Sequence, residues 1–197
     1  MLRHSGTIRI ESERLLLRRF CLEDASAMYY NWTNDPEVSC FMRWQPHKTV
    51  RESRDMLQKW VSQYSNPAFY QWGIEQKSDG SLVGAIGLYT VNEGDLCAEV
   101  GYCVGSRYCG QGIATDALSA VLFFAFERVG YNRVEAYHAA ANPASGRVLE
   151  KAGMRYEGFA RQKYRSNRGF EDCRMYAVLK SDCPEQTNTQ NELPLPT

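Results

Sequence analysis

The segment from Val104 to Phe126, VGSRYCGQGIATDALSAVLFFAF, constrains the fold most, because a strand-like end runs into a glycine-rich turn and then an amphipathic helix. Glycines at such a junction let the backbone approach a ligand closely. The free N–H groups at the start of the following helix favour an anion. Neither Gly-Lys-Ser/Thr nor Gly-x-Gly-x-x-Gly is present, which excludes two familiar phosphate loops. The turn is predicted to bind another phosphate-bearing ligand.

The composition is that of one globular domain. A chain of 197 residues with 44% hydrophobic content can form one well-buried core. Basic and acidic residues balance at 23 each, so the net charge points to no nucleic-acid or membrane partner. The first residues carry alternating charges instead of an apolar signal sequence, and no stretch approaches about 18 uninterrupted apolar residues. We expect a cytoplasmic monomer or homodimer that binds neither nucleic acid nor membrane directly.

The seven cysteines are odd in number and include no Cys-x-x-Cys pair. This pattern argues against a disulfide framework and against a zinc site. We therefore expect free thiols in a reducing compartment, and no bound metal.

Hydrophobic periodicity divides the chain into strands and helices. The predicted strands cover residues 12–20, 68–76, 82–91, 97–104, 133–139, 154–165 and 170–180. The predicted helices cover residues 22–32, 50–64, about 114–129 and 142–153. Asp79-Gly80 marks a hairpin, and the strands that flank the third helix must be parallel because a crossover joins them.

This order predicts an α/β (α+β) domain over residues 8–181. Its single mixed, mostly antiparallel sheet has about six to seven strands, flanked by about four helices. Residues 182–197 are polar and contain proline, so a disordered tail is predicted there.

The order of elements resembles the GNAT acetyltransferases, and more specifically their RimJ/RimL branch, which acetylates protein N-termini and other amines. The similar fragments span roughly residues 10 to 180 and are ERLLLRRF, NDPEV, AEVGYCV, CGQGIATDAL, NRVEAYHAAANPASGRVLEKAGMRYEG and D…YAVLK. The resemblance implies the GNAT fold. It also implies that the glycine turn binds the pyrophosphate of acetyl-CoA, whereas the glycines alone are compatible with an ordinary tight turn.

The family's loop pattern, Gln/Arg-x-x-Gly-x-Gly/Ala, fits this sequence in two registers. Arg107 to Gly112 satisfies every position, and Cys109 to Ala114 satisfies every position except the first. We favour the second register, because it places Ala114 at the helix start before TDAL, as the resemblance requires. Arg107 is then available as an additional charge. The backbone N–H groups expected to hold the diphosphate are those of Gly110, Gln111, Gly112, Ile113 and Ala114.

The resemblance implies further cofactor contacts on the neighbouring strand and helix. The backbone from Val100 through Tyr102 to Val104 is expected to bind the pantetheine arm. Asn142 is expected to contact the CoA arm and also to cap its helix, and these roles are compatible. The side chains of Tyr89, Tyr102 and Trp72 are interpreted as sheet core or cleft wall.

Acetyl transfer to an amine requires a neutral nitrogen, a polarised thioester carbonyl and a proton for the departing thiolate. The pKa of a free α-amine is about 8 and that of a lysine amine about 10.4, so a weaker general base is sufficient for an N-terminal amine. Glu99 is the candidate base, because the family often carries an acidic residue on this strand. The alternative is a solvated glutamate, or one paired with an arginine.

Many GNAT enzymes supply the proton from a tyrosine seven residues beyond the helix-leading asparagine, but here that position is Leu149. The RimJ/RimL branch offers Ser145 instead, and the alternative role of this serine is ordinary hydrogen bonding at the helix N-terminus. An acetyl-cysteine intermediate on Cys103 or Cys109 is disfavoured, since no histidine lies nearby in sequence.

The acceptor is the least constrained feature. We expect the α-amine of a peptide or protein, including a ribosomal protein. The alternatives are a small amine (antibiotic, polyamine or aminoacyl-nucleotide) and a non-catalytic acyl-CoA-binding module, because the helix tyrosine is absent. The segments expected to shape the acceptor pocket are Ser39 to Val50 and Arg165 to Gly169.

Overall fold

Eight strands form one mixed sheet in the computed structural model, which describes residues 1–183. In chain order they are β1 (Ile10–Glu11), β2 (Leu15–Arg18), β3 (Tyr70–Gln76), β4 (Leu82–Asn92), β5 (Cys97–Val104), β6 (Arg133–Ala139), β7 (Arg155–Ser166) and β8 (Gly169–Leu179). Their order across the sheet is β1-β2-β3-β4-β5-β6-β8-β7. Within these residues β5 and β6 are parallel and the other neighbours antiparallel, which confirms the predicted sheet.

Five α-helices accompany the sheet: α1 (Ala25–Met28), α2 (Pro36–Ser39), α3 (Val50–Gln63), α4 (Ile113–Phe123) and α5 (Pro143–Lys151). Two of them continue as π-helical segments, α1 over Tyr29–Thr33 and α4 over Phe124–Val129. The second segment ends at Gly130, whose φ of +91° is the left-handed conformation that stops a helix.

The predicted counts of six to seven strands and four helices were too low by two short elements. The two-residue β1 pairs with β2 and is too short to give a periodic pattern. The short helix α2 arises because the Asp35 side chain accepts the N–H of Glu37, and Pro36 occupies the first helical position. Asp35-Pro36 therefore ends one helical segment, as predicted, and also begins the next.

The sheet is covered on both faces. Helices α4 and α5 pack on one face around Ala98, Val100 and Val121, which are at most 4% exposed. Helices α1 and α3 pack on the other face around Trp32 and Leu57. The part of the predicted tail from residue 184 onward lies outside the described residues. Among residues 1–183, every helix is too short or too polar to cross a membrane.

Candidate active site

The strands β5 and β6 separate in the middle of the sheet. They pair only where Cys97, Ala98 and Glu99 face Arg133, Val134 and Glu135, although β5 continues to Val104 and β6 to Ala139. On its other side β5 stays paired with β4 to its end. The second half of β5 therefore has no partner strand toward β6 among the described residues, and backbone N–H and C=O groups there are available to a ligand.

The glycine loop lies at the end of this gap. Gly110 and Gly112 adopt φ values of +78° and +80°, conformations that favour glycine, and α4 begins directly after them at Ile113. A Cβ on Gly110 would meet no atom within 4 Å, so the loop presents its backbone to solvent. The helix start at Ile113 agrees with the register from Cys109 to Ala114. The cofactor contacts of this loop stay a prediction.

Two arginines hold the loop in place. Arg14 contacts the Asp116 carboxylate through Nε (2.8 Å) and Nη2 (2.6 Å), and donates from Nη1 to the Gln111 carbonyl (3.1 Å). Arg107 lies in a 3₁₀ turn before the loop and donates to the Asn31 Oδ1 (2.7 Å) and, more weakly, to the Tyr30 carbonyl (3.3 Å). The guanidinium predicted to add charge at the diphosphate is thus engaged with the first helical segment. No pattern in the sequence indicated this role of Arg14.

A pair of hydroxyl groups bridges β5 and α5. The Tyr102 hydroxyl lies 2.9 Å from the Ser145 Oγ and donates to the Ser145 carbonyl at 3.1 Å. Burial, only partly offset by this hydrogen bond, raises the pKa of Tyr102 to about 12, so the phenol keeps its proton at neutral pH. Asn142 caps α5 as predicted, with its Oδ1 accepting from the Ser145 N–H at 3.3 Å. Leu149 is buried in the core.

Glu99 stands where the two strands separate. Its side chain is half-buried and makes no hydrogen bond or ion pair with any residue in the described range. Burial raises the pKa of Glu99; the charges of Lys163 and Arg43 oppose this rise and that of Glu135 adds to it. Among the described residues Glu99 is therefore not paired with an arginine, and a desolvated, unpaired carboxylate of this kind is characteristic of functional sites.

Gly87 and Gly101 form a cross-strand pair beside Glu99, on the same face of the sheet. A Cβ on Gly87 would come within 2.6 Å of both the Gln71 Oε1 and the Tyr89 hydroxyl, so glycine is required there. Tyr89 is 50% exposed, and its hydroxyl donates to the Gln71 Oε1 at 3.2 Å, so these two side chains lie over Gly87; Trp72 is fully buried core.

Residues 14–155 match the family model described as "Acetyltransferase (GNAT) domain". The chain belongs to the GNAT acetyltransferase family. Its relatives include the N-acetyltransferase YoaA of Bacillus subtilis (strain 168), which is 29% identical over 171 residues, 87% of this chain and 96% of YoaA. The ribosomal protein uS5-alanine N-acetyltransferase of Escherichia coli (strain K12) is 27% identical over 95 residues, 48% of each chain. This likeness agrees with the predicted RimJ/RimL branch.

A solved structure shows the same fold. The crystal structure of a GNAT-family acetyltransferase from Bacillus anthracis gives a TM-score of 0.77 at 27% identity, and the match covers 88% of this chain and 99% of that one. Since the family consists of acetyltransferases, this GNAT chain is an N-acetyltransferase, and the reading as a non-catalytic module is set aside.

GNAT acetyltransferases use acetyl-CoA, and the residues of this GNAT chain fit it. The unpaired half of β5 offers donors and acceptors suited to the amides of a pantetheine arm. The loop leaves open space at Gly110, just before the start of α4, where N–H groups and the helix dipole favour a diphosphate.

The cysteines and the histidine near the site are poorly suited to nucleophilic or basic roles. Burial raises the pKa of Cys103 to about 12 and also raises that of Cys109, which lowers the fraction of reactive thiolate. All seven cysteines are unpaired. His138 is buried against α5 and its pKa is lowered by that burial. These observations argue against an acetyl-cysteine intermediate.

The two segments predicted to shape the acceptor pocket lie against each other. Asn167 donates from its side chain to the Ser39 carbonyl (2.8 Å), and from its backbone to the Met42 carbonyl (2.9 Å). The Tyr164 hydroxyl donates to the Phe41 carbonyl at 2.7 Å. The sequence indicated both segments, but it missed the contact of Tyr102 with Ser145. The one available signal was Leu149, which stands at the usual tyrosine position and cannot donate a proton. A tyrosine that protonates the sulfur must therefore come from another element.

Proposed function

We propose that this GNAT acetyltransferase transfers an acetyl group directly from acetyl-CoA to the α-amine of a peptide or protein N-terminus. The observation that carries the proposal is Glu99, a half-buried carboxylate without hydrogen-bond partners among the described residues, placed where β5 and β6 separate. An amine that enters where the two strands separate would meet an unoccupied proton acceptor.

The electrostatic surroundings favour an α-amine over a lysine amine. Even with a raised pKa a carboxylate is a weak base, and it matches an amine of pKa about 8 better than one of about 10.4. Arg43 and Lys163 act on the same space, since both charges influence Glu99. Nearby cations disfavour the protonated form of an incoming amine. The relative from Escherichia coli is named as an alanine N-acetyltransferase of a ribosomal protein, which supports a protein N-terminus as acceptor.

The cofactor would be held by backbone groups from Val100 to Val104, by the N–H groups from Gly110 to Ala114, and by Asn142, with Arg107 nearby. When bound, acetyl-CoA supplies the acetyl group as an activated thioester. The glycine loop and the start of α4 would fix the diphosphate end, so that the acyl end is oriented along the gap between β5 and β6.

The proton movements can be assigned to two places in the chain. Glu99 accepts the proton that the acceptor nitrogen loses as the new N–C bond forms. The hydroxyl pair of Tyr102 and Ser145 donates a proton to the sulfur as the C–S bond breaks. Because its pKa is raised to about 12, Tyr102 holds that proton throughout the neutral range, and Ser145 is placed to relay it.

The proposal is tested by CoA release from acetyl-CoA with a panel of acceptors. The panel contains peptides with a free α-amine, the same peptides with a blocked N-terminus and a free lysine, and small amines including a polyamine and an aminoacyl-nucleotide. We expect the highest kcat/KM with free α-amines, and mass spectrometry should place the acetyl group on the N-terminal nitrogen. Preferential turnover of the blocked peptides or of the small amines would overturn the proposal.

A further inference from the structure

A cavity of about 400 Å³ lies between the loop after α2 and the tip of the β7–β8 hairpin. Arg43 and Gln45 line it from the loop, and Arg165, Asn167 and Arg168 line it from the hairpin. We call this the arginine pocket. Its guanidinium groups are exposed, and none of the three arginines forms an ion pair with another residue of the described part of the chain.

The positive charge is concentrated at this end of an otherwise neutral chain. Lysine and arginine balance aspartate and glutamate at 23 each, yet residues 159–170 contain four cations and no acidic residue. The nearest carboxylate along the hairpin, Glu171, accepts the Ser166 hydroxyl at 2.7 Å and forms no ion pair with an arginine of the pocket. The guanidinium groups of the pocket are therefore available to an anionic ligand.

The pocket is built before any ligand arrives. The loop and the hairpin are joined by the hydrogen bonds of Asn167 to Ser39 and Met42, and Asn167 also donates to the Trp44 carbonyl at 3.3 Å. The Arg168 guanidinium lies over the Phe41 ring (5.5 Å), and that of Arg43 lies over the Tyr164 ring (5.1 Å). Side chains held in this way lose little conformational entropy on binding, and their planar forks match carboxylate geometry.

The arginine pocket adjoins the catalytic cleft through Arg43. This residue donates to the Tyr137 hydroxyl at 3.0 Å, and its charge acts on Glu99. β7 contributes as well: the three residues 161–163 stand opposite one residue of β8, and this bulge places the Lys163 Nζ over the Tyr137 ring at 5.5 Å. Lys163 and Arg43 therefore place positive charge between the proposed amine site at Glu99 and the arginine pocket.

We infer that the arginine pocket selects acceptor peptides with acidic side chains within their first few residues, and that Arg165 and Arg168 bind those carboxylates. The inference rests on the proposed function, because it assumes that the acceptor amine is a peptide N-terminus. An extended peptide advances about 3.3 Å per residue, so a chain whose amine lies at Glu99 would bring its next residues past Arg43 and into the pocket. The open shape of the cavity suits several side chains of such a peptide.

The test compares three peptides that differ only at positions two to four: Asp and Glu, their amides Asn and Gln, or phosphoserine. With the wild-type protein we expect the acidic peptide to have a kcat/KM about tenfold above that of the amide peptide, with a difference that shrinks as salt is added. In the Arg165→Gln/Arg168→Gln double variant the ratio of the two kcat/KM values should fall to about one. Equal kcat/KM values for the acidic and amide peptides would overturn the inference.

A matched control removes the same two charges elsewhere. Arg161 and Arg174 lie on the same hairpin, on β7 and β8, but outside the pocket lining. The Arg161→Gln/Arg174→Gln double variant should therefore keep the preference to within about twofold. If this control loses the preference as well, the effect is one of net charge and the pocket is not its source. A phosphoserine peptide that outperforms the acidic one in an Arg165- and Arg168-dependent manner would assign the pocket to phosphate instead.

Binding separates this inference from the proposed function. The affinity of each peptide for the full chain in the presence of CoA is measured by calorimetry, which requires no turnover. If no peptide is acetylated but the acidic peptide still binds through Arg165 and Arg168, the proposed function fails and the pocket assignment stands. If the amide peptide is acetylated as well as the acidic one, and the two bind equally, peptide acetylation stands and the pocket assignment fails.

Discussion

Asp24, in the turn after β2, and Glu99, on β5, are both desolvated carboxylates, but their pKa values are shifted in opposite directions. Asp24 accepts hydrogen bonds from both terminal nitrogens of Arg18 (2.8 and 2.9 Å) and from the Cys21 N–H (2.9 Å). Burial acts to raise the pKa of Asp24, but these partners outweigh it and the pKa is lowered. Glu99 is also desolvated, has no such partner, and its pKa is raised. Burial is common to both, so direct hydrogen bonding decides the difference.

The comparison separates the part of the molecule that maintains the fold from the part that is free to react. Arg18 also donates to Glu75 at 2.6 Å, so β2, β3 and the segment before α1 are tied together by satisfied charges. Around Glu99 the strands separate, and the carboxylate has no hydrogen-bond or ion-pair partner among the described residues, as the proposed role of general base requires. An unpaired, desolvated charge reduces stability, and such groups are characteristic of functional sites. We call the region tied together by Arg18, Asp24 and Glu75 the closed half, and the region around Glu99 and the glycine loop the open half. Substitutions can test each half separately.

The largest expected effect is at the glycine loop of the open half. Gly112→Asp puts a negative charge at the proposed diphosphate site, and like charges at close quarters cost several kcal/mol, so the affinity for acetyl-CoA should fall about a thousandfold. The new Cβ lies 3.0 Å from the end of the flexible Arg14 side chain, so the fold should be retained. Calorimetry with acetyl-CoA measures the affinity.

The matched control for this loop variant is Gly80→Asp. Gly80 has a similar φ, +71°, and its Cβ would meet nothing within 4 Å, so the strain of a left-handed aspartate is reproduced away from the loop. The control should bind acetyl-CoA normally. Unchanged affinity in the Gly112 variant would remove the loop as the diphosphate site.

Asp24→Asn should cause the largest loss of stability. It leaves the partly buried Arg18 without its main partner, which should cost about 3 kcal/mol of unfolding free energy. Because the folded pKa of Asp24 is lowered, its contribution is present above the unfolded value near 3.8 and is lost as pH falls through the folded value. The deficit measured in urea should thus disappear in acid.

A control for the closed half is Glu11→Gln, since Glu11 pairs with Arg9 and Lys77 on the protein surface, where its side chain is 49% exposed. This variant should leave the urea midpoint nearly unchanged. If Asp24→Asn were as mild as Glu11→Gln, the closed half would not depend on this ion pair.

In the closed half the sequence predicted the strands and helices but not the ion pairs. In the open half it predicted the candidate site residues but not the contacts between residues far apart in the chain. Strand and helix positions were accurate wherever a long periodic pattern existed, as in Val50–Gln63 and Cys97–Val104. The short β1 and α2 were missed, because two to four residues carry no period. The Arg18 pairs with Asp24 and Glu75 depend on strand register, which a single sequence does not specify.

At the site, the sequence indicated Glu99, the glycine loop and Asn142 because each belongs to a local motif. The Tyr102 contact with Ser145 joins residues 43 positions apart, and the arginine pocket joins residue 43 to residues 165–169. Such contacts arise from the crossover between β5 and α5 and from the hairpin folding back over the loop. Local periodicity holds no information about either.

Glu99→Gln should lower kcat about fiftyfold at neutral pH by removing the general base. The wild-type rate should fall as pH drops through the raised pKa of Glu99, because the carboxylate becomes protonated; the variant should lack this acidic limb. Above about pH 8 the acceptor amine loses its own proton, so the deficit should shrink. A wild-type pH profile that survives the substitution unaltered would exclude Glu99 as the base.

Tyr102→Phe should lower kcat about tenfold while sparing the affinity for acetyl-CoA, because it removes one proton donor and leaves the backbone of β5 intact. If Tyr102 and Ser145 act as one unit, the Tyr102→Phe/Ser145→Ala double variant should be no slower than the slower single variant. Tyr131→Phe is the control, since it removes a buried hydroxyl bonded to Thr90 at 2.6 Å and should not change kcat. Additive losses in the double variant would show that the hydroxyls act separately.

The smallest effect is the sharpest test of the comparison between the two carboxylates: Glu99→Gln should stabilise the protein. Because the folded pKa of Glu99 is raised above its ordinary value of 4.5, ionised Glu99 costs stability above the folded value, and this cost vanishes below 4.5. The neutral amide avoids it, so the unfolding free energy should rise by about 1 kcal/mol at neutral pH, or roughly 3 °C in Tm. Thermal unfolding of wild type and variant from pH 8 to pH 4 should show the gain disappearing in acid. A loss of stability at pH 8 would mean that Glu99 is a structural carboxylate like Asp24.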